Sequence, residues 1–291
     1  MTDQPRFDLP ITPPALVTGW AGDRATPGSG PDLPVFYPAT GQQISVLVED
    51  DAASVDVAVT AARRAFDAGP WPGLSTADRI AVLERFGQAF LDNADDLARL
   101  ECAATGLLLR ELKERHMARA AYNFRFFADY ISQRAGERYD QTPGYMTTVV
   151  REPVGVAALI APWNAPVALA TMKIAAALSF GNTCVLKPSE QTPLALARLV
   201  GLLQEVLPEG VLTLVNGRGP VTGAALVDHP GVDLVSFTGG TETGRAIMSA
   251  AGQRLVPATM ELGGKSANVV FANADYERAL DGALLGIFSN N

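Results

Sequence analysis

Apolar positions recur at helical spacing through the first half of the chain. Val55, Ala58, Val59, Ala62 and Phe66 predict a helix over 54–67, stopped by Gly69-Pro70. Ser75 reads as the N-cap of a second helix, with Ile80, Leu83, Phe86, Phe90, Leu97 and Leu100 on one face. A third is predicted over 111–133. Its Tyr122, Phe126 and Tyr130 line one side, and such a stripe reads as core packing. Ahead of these, residues 1–40 hold eight prolines and read as an extended arm over the surface. Residues 137–151 change character: Arg138-Tyr139, the turn Thr142-Pro143-Gly144, then Thr147-Thr148-Val149-Val150 make a hairpin signal.

From Pro153 short apolar runs alternate with helical stretches. Strands are expected over 154–161, 183–186, 211–215, 232–237 and after Gly263-Gly264, within 260–271. Helices are expected over 167–180, closed by Gly181, then from a Thr192 N-cap and Pro193 to Val206, over 223–228, and from Gly244 to Ala251. This alternation predicts an α/β fold: an open parallel Rossmann-like sheet with helices on both faces, and a β-hairpin arm. The expected layout is an arm at 1–40, a helical part at 41–136, the hairpin at 137–152, a dinucleotide-binding domain at 153–272, and the start of a further domain at 273–291.

The net charge of −8 and pI near 4.9 argue against nucleic-acid and anionic-membrane partners, which need a basic face. Two cysteines are too few for a disulfide framework, and His116 and His229 are far apart, so no metal centre is expected. The most apolar stretch, 154–186, is interrupted by Asn164, Pro166, Lys173, Gly181 and Asn182, so no membrane span is predicted. With no basic, apolar leader at the N-terminus, a cytoplasmic setting is expected.

Ligands of such sheets sit outside the carboxyl ends of the strands. After the strand ending at Phe237 comes Thr238-Gly239-Gly240-Thr241-Glu242-Thr243-Gly244, where glycines and a helix N-terminus suit a pyrophosphate. Taken singly, this fits a tight strand–helix turn equally well. Lys187-Pro188-Ser189-Glu190 leaves another strand; the lysine suits a phosphate or ribose, and the carboxylate suits ribose hydroxyls or simply a surface position. Trp163 and Asn164 follow the first strand, and a side-chain amide there is either a turn residue or an oxyanion donor worth roughly 10²–10³ in rate. Lys173 lies in an otherwise apolar helix, where a charge needs a partner or a wet cavity. Glu261, before a Gly-Gly turn, is a surface acid or a general base worth roughly 10²–10⁴.

Together, Pro162-Trp163-Asn164, Lys187-Pro188-Ser189-Glu190, Phe237-Thr238-Gly239-Gly240-Thr241 and Glu261-Leu262-Gly263-Gly264-Lys265 resemble the aldehyde dehydrogenase superfamily, in order and spacing, from about Pro38 to the last residue. The resemblance implies NAD, with NADP possible, as cofactor, a small-molecule aldehyde as substrate, and oxidation to a carboxylate through a thiohemiacetal. It implies that Asn164 donates to the oxyanion, Glu261 activates the hydrolytic water, and Lys173 looks toward the proton path. Lys187 and Glu190 would hold the adenosine ribose, Glu190 tilting the choice toward NAD. The 239–244 turn would face the pyrophosphate. Ile160, Ala161, Pro162, Trp163 and Gly219 would lie near the cofactor, with Ser189, Gly223, Phe237, Thr238, Gly244, Leu262 and Gly263 completing that set. The hairpin would be an oligomerisation arm and the complete enzyme a homo-oligomer.

Two positions depart from the pattern. Relatives often carry Ser or Ala where this chain has Gly240. The family's nucleophilic cysteine lies a few residues beyond a segment like Phe288-Ser289-Asn290-Asn291, where this sequence stops, so the chain is expected not to turn over by itself. Cys102 and Cys184 read as small buried residues that cannot replace it. The alternative is a non-catalytic dinucleotide-binding module. Keeping both Asn164 and Glu261 argues against it, and Glu261 also argues against an acyl-CoA-forming relative.

Overall fold

From residue 8 onward the proline-rich N-terminal stretch is extended, but it is paired into sheets, and the first seven residues of the expected arm lie outside the described residues. The computed structural model describes residues 8–288. Strand β1 (Leu16–Val17) lies parallel to β5 (Gln42–Val48), and β4 (Asp32–Tyr37) pairs antiparallel with β5 through a turn at Gly41, where φ is +70°. Val35, Tyr37, Ser45 and Leu47 face inward at every second position, a strand period that the prolines obscure in the sequence. Between them β2 (Gly19–Ala21) and β3 (Arg24–Thr26) form a second hairpin. The region expected to be helical from residue 41 therefore opens with a strand.

Helix α1 (Ala52–Ala68) starts two residues earlier than predicted, because Asp51 rather than a later residue caps it by accepting from Ser54 N–H at 2.9 Å. The single helix expected after Ser75 is two: α2 (Thr76–Asp92) and α3 (Ala94–Thr105). They break at Asn93, whose amide folds back onto the Ala89 carbonyl at 2.8 Å. A short α4 (Leu109–Glu111) and a π turn (Leu112–His116) lead into α5 (Met117–Ser132). The aromatic stripe on α5 is not core. Tyr122, Phe126 and Tyr130 are 55%, 45% and 47% exposed, while Met117, Ala120, Phe124, Ala128 and Ile131 supply the buried face. The hairpin follows as β6 (Glu137–Tyr139) against β7 (Thr147–Val149).

The remaining elements are β8 (Val156–Ile160), α6 (Pro166–Ser179), β9 (Thr183–Lys187), α7 (Leu194–Gln204), β10 (Leu212–Leu214), a π turn (Gly219–Gly223), α8 (Ala224–Asp228), β11 (Leu234–Gly239), α9 (Thr241–Gln253), β12 (Ala258–Leu262) and α10 (Tyr276–Phe288). Gly181, at φ +79°, closes α6 as expected, bonding to the Leu178 carbonyl. Thr192 is not a side-chain cap for α7; its hydroxyl is buried with no hydrogen-bond partner among the described residues. The last strand precedes Gly263-Gly264 instead of following them. Residues 263–270 have no strand partner among the described residues, and without a ladder an apolar run is not a strand. No helix among the described residues is long and apolar enough to cross a membrane.

Five parallel strands in the order β12-β11-β8-β9-β10 make the sheet, extended by antiparallel β2 and β3. Alternate residues enter opposite cores. Val156, Ala158, Ile160, Val185, Val235 and Phe237 pack with α1, α8 and α9, while Ala157, Leu159, Cys184 and Leu186 pack with α2, α3, α5, α6 and α7. Helices cover both faces across β8, β9 and β10, which explains why those strands carry no exposed position. Over β11 and β12 the prediction of two covered faces fails. Met260 and Phe237 turn toward α9, but the opposite face, with Ser236, Thr238, Thr259 and Glu261, is only partly covered or exposed.

Candidate functional site

The chain runs outward from β8 to β9 to β10, then returns to place β11 on the other side of β8. Loops leaving β8 and β11 therefore diverge and open a crevice at the carboxyl edge, the place where open α/β sheets bind ligands. Register sets the residues at its rim: Ile160 lies beside Lys187 on β9 and beside Phe237 on β11, and Thr238 lies beside Glu261 on β12. Thus the exits at 161–165, 187–191 and 238–241 share one edge, and the turn 216–223 after β10 joins them.

Lys187 ends β9 with its side chain buried. Its Nζ donates to the Pro188 carbonyl at 3.0 Å and stands 3.9 Å from a Glu190 oxygen. Burial lowers its pKa, opposed by Glu190 and Glu49. Gly223 packs against the lysine's aliphatic stem, and a methyl there would touch Cδ and Cε at 3.6 Å. Ser189 accepts from Gln191 N–H at 3.3 Å and so shapes the turn presenting Glu190. Ala161 N–H donates to the Lys187 carbonyl, locking the two exits together, while Pro162 is half-buried and Trp163 is exposed beside them.

Gly240 is the N-cap of α9 and offers no side-chain acceptor, so the first amides of a 13-residue helix face the crevice unshielded. Space around Gly219 and Gly240 is open. Gly239 and Gly244 are glycine for another reason: a methyl would strike the Phe237 ring and the Leu262 side chain respectively. The Thr238 hydroxyl is buried with no hydrogen-bond partner among the described residues. Leu262 and Gly263 lie exposed at the end of β12. A cavity of about 700 Å³ opens beside Trp163, Glu190, Thr192 and Arg218. A cationic stem, a carboxylate, open glycine backbone and free helix amides fit a ribose-bearing diphosphate.

The sheet face beneath α6 holds a second set. Glu261, Thr238 and Ser236 share a sheet face with Leu159, the face that α6 covers. Lys173 reaches that face from α6 and donates to Ser236 Oγ at 2.9 Å. Its pKa falls to about 8, because burial disfavours the ammonium more than Glu261 favours it. A cavity of about 510 Å³ lined by Lys173, Ser236 and Thr259 adjoins it. Asn164 is half-buried in the loop entering α6, and its side chain makes no hydrogen bond with any described residue. Cys184 is wholly buried in β9 and Cys102 partly buried in α3; burial raises both thiols, so neither forms a ready thiolate. No cluster among the described residues could hold a metal ion.

Several groups near the crevice went unread in the sequence. Glu49, buried at the end of β5, accepts two hydrogen bonds from the Arg218 side chain at 2.6 and 2.9 Å and one from Arg218 N–H at 2.8 Å. The Arg218 guanidinium holds the Glu49 carboxyl below its usual range. Asp50 beside it accepts from Asn216 N–H at 2.6 Å, and burial pushes it up to about 6. These acids anchor the turn 216–219. Their signal was the Glu49-Asp50 pair ending an apolar alternation, and it is legible only once β5 is recognised.

The model of the aldehyde dehydrogenase family matches residues 25–291. The chain belongs to the aldehyde dehydrogenase family. It is 41% identical over 268 residues to a 2-hydroxymuconic semialdehyde dehydrogenase of Pseudomonas sp. (strain CF600), covering 90% of this chain and 55% of that protein. It is 43% identical over 255 residues to a 5-carboxymethyl-2-hydroxymuconate semialdehyde dehydrogenase of Escherichia coli, covering 87% and 54%. Among solved structures, an NAD+ complex of an aldehyde dehydrogenase from Bacillus cereus superposes with a TM-score of 0.90 at 35% identity, covering 93% of this chain and 56% of that one. The chain spans about half the length of the curated relatives it matches. For this member of the aldehyde dehydrogenase family, the α/β class with a Rossmann-like parallel sheet is the fold observed.

Proposed function

We propose that this chain is the dinucleotide-binding part of an NAD(P)-dependent aldehyde dehydrogenase that oxidises an aldehyde to a carboxylate. The observation that carries this is the crevice between β8 and β11. Anion- and ribose-binding groups lie on one side of it, and Asn164, Lys173 and Glu261 lie toward the other. Lys187 and Glu190 hold the adenosine ribose, the amides opening α9 face the diphosphate, and the loop 160–163 with Gly219, Gly223, Thr238 and the 262–263 turn encloses the rest. When bound, NAD(P) supplies a hydride acceptor. Asn164, with an amide free of other bonds, donates to an oxygen that gains charge. Glu261 takes a proton from water, and Lys173, close to neutral at mildly alkaline pH, passes protons beside it. The exposed β6–β7 hairpin serves assembly into a homo-oligomer, and the two free thiols suit a cytoplasmic, reducing setting. Aldehydes bearing a carboxylate are the first substrates to try, since the relatives named above are semialdehyde dehydrogenases.

The test is NADH and NADPH titration of the chain, followed by energy transfer from tryptophan. NADH binding is expected, and Glu190→Gln should shift the NADPH-to-NADH affinity ratio upward by about tenfold, because a carboxylate opposes a 2′-phosphate as a like charge. Absence of binding by the wild-type chain would sink the reading; an unmoved ratio would remove Glu190 from the ribose.

Gly240→Ser gives a separate expectation. Space there is open, and a serine at the helix N-cap adds one hydroxyl toward the diphosphate. NADH affinity should rise roughly three- to tenfold, the worth of one ordinary hydrogen bond. An unchanged or weaker affinity would mean that the α9 amides do not face the diphosphate.

A further inference from the structure

The loop carrying Trp163 and Asn164 ends where α6 begins, and that helix start lacks a cap of its own. Ala165 at the N-cap has no side-chain acceptor, and Pro166 at the first helical position has no N–H. The first amide needing a partner is Val167 N–H, and it donates to Glu101 Oε2 at 3.2 Å. Glu101 reaches it from α3, 66 residues earlier in the chain, with its side chain fully buried. A carboxyl in an apolar core is unfavourable unless a partner there compensates it. The nearest cation is a weak partner: His116 Nδ1 stands 4.0 Å from Glu101 Oε1, burial favours the neutral imidazole, and neither atom has a hydrogen bond to a described residue. A second tie acts on the same turn, where Asn123 Nδ2 on α5 donates to the Ala168 carbonyl and to Thr171 Oγ1, each at 3.0 Å.

We propose that Glu101 is a positioning residue: it caps α6 from a neighbouring helix and thereby sets the loop that presents Trp163 and Asn164 to the crevice. The carboxyl acts as an acceptor, not as a charge. Burial pushes it up to about 8, so near neutral pH it carries a proton and keeps a carbonyl oxygen for Val167. Glutamine reproduces that acceptor. Leucine fills the same space and removes it. The consequence for cofactor binding rests on the dinucleotide reading above, whereas the consequence for the loop does not.

The experiment compares the full chain with Glu101→Gln and Glu101→Leu, using amide hydrogen exchange over 161–170, NADH titration and thermal melting. Glu101→Gln should keep loop exchange and NADH affinity within about twofold of wild type, since the cap survives. Glu101→Leu should speed exchange at 163–169 and weaken NADH binding by about fivefold or more, without a matching loss of melting temperature. Equal exchange in the two variants would overturn the proposal. So would an unprotected Val167 amide in the wild-type chain, a measurement that needs no variant to fold. If the exchange difference appears and wild type binds no NADH, the cap stands and the dinucleotide reading falls.

Discussion

Replacing Lys187 with methionine should weaken NADH binding roughly 10- to 100-fold, the worth of one charge-assisted hydrogen bond, while the ligand-free chain becomes harder to unfold. Both effects come from one fact: the ammonium is buried at the end of β9 with few partners. It has the Pro188 carbonyl at 3.0 Å and one carboxylate oxygen at 3.9 Å. Burial already lowers its pKa, a sign that the charged form is poorly solvated without ligand. Methionine keeps the unbranched stem that packs on Gly223 and removes the charge. Stability of the free chain should rise by about 1 kcal/mol, or roughly 2–4 °C in melting temperature. The ligand-induced shift in melting temperature should vanish. If NADH binds Lys187→Met as well as wild type, the lysine serves the fold and not the ligand.

Why Lys187 was legible in the sequence is a matter of burial. A strand covered on both faces carries no charged position until its exit, so the first charged residue after Thr183–Leu186 marks the carboxyl edge. The same logic exposes Asn164 after β8. It fails wherever a side chain's surroundings come from another element. α5 carries two apolar stripes, and only packing against α2 and α6 decides that Phe124 is inside and Phe126 outside. Glu101 looks like one acid among several on α3, and its role emerges only when α6 arrives beside it. Ser236 looks like a neutral strand residue until Lys173 reaches it from 63 positions away. The N-terminal strands were hidden by prolines that edge and turn positions tolerate.

Lys173→Met should stabilise the chain by about 2 kcal/mol at pH 7, and the advantage should disappear as the pH rises. Lys173 is almost wholly buried in α6, and its folded pKa of about 8 lies below the ordinary 10.5. Between those values the unfolded chain binds more protons than the folded one at this residue, so wild-type stability increases with pH there. Below pH 8 both states are protonated, and the full penalty of burying an ammonium is present. Above about 10.5 neither carries the charge, and the penalty is gone. The hydrogen bond to Ser236 offsets part of it, which is why the expected gain is smaller than the whole shift would give. Urea unfolding of both proteins at pH 7, 8.5 and 10 measures the gap directly, because the remaining titrating groups are common to the two and cancel in the difference. A gap that stays constant with pH would mean that water in the adjoining cavity solvates the ammonium fully. Lys173 would then keep its proton well above pH 8 and would be a poor partner for proton exchange with Glu261. A gap that closes between pH 8 and 10 would show that the core holds an amine ready to gain or lose a proton on the same sheet face as that carboxylate.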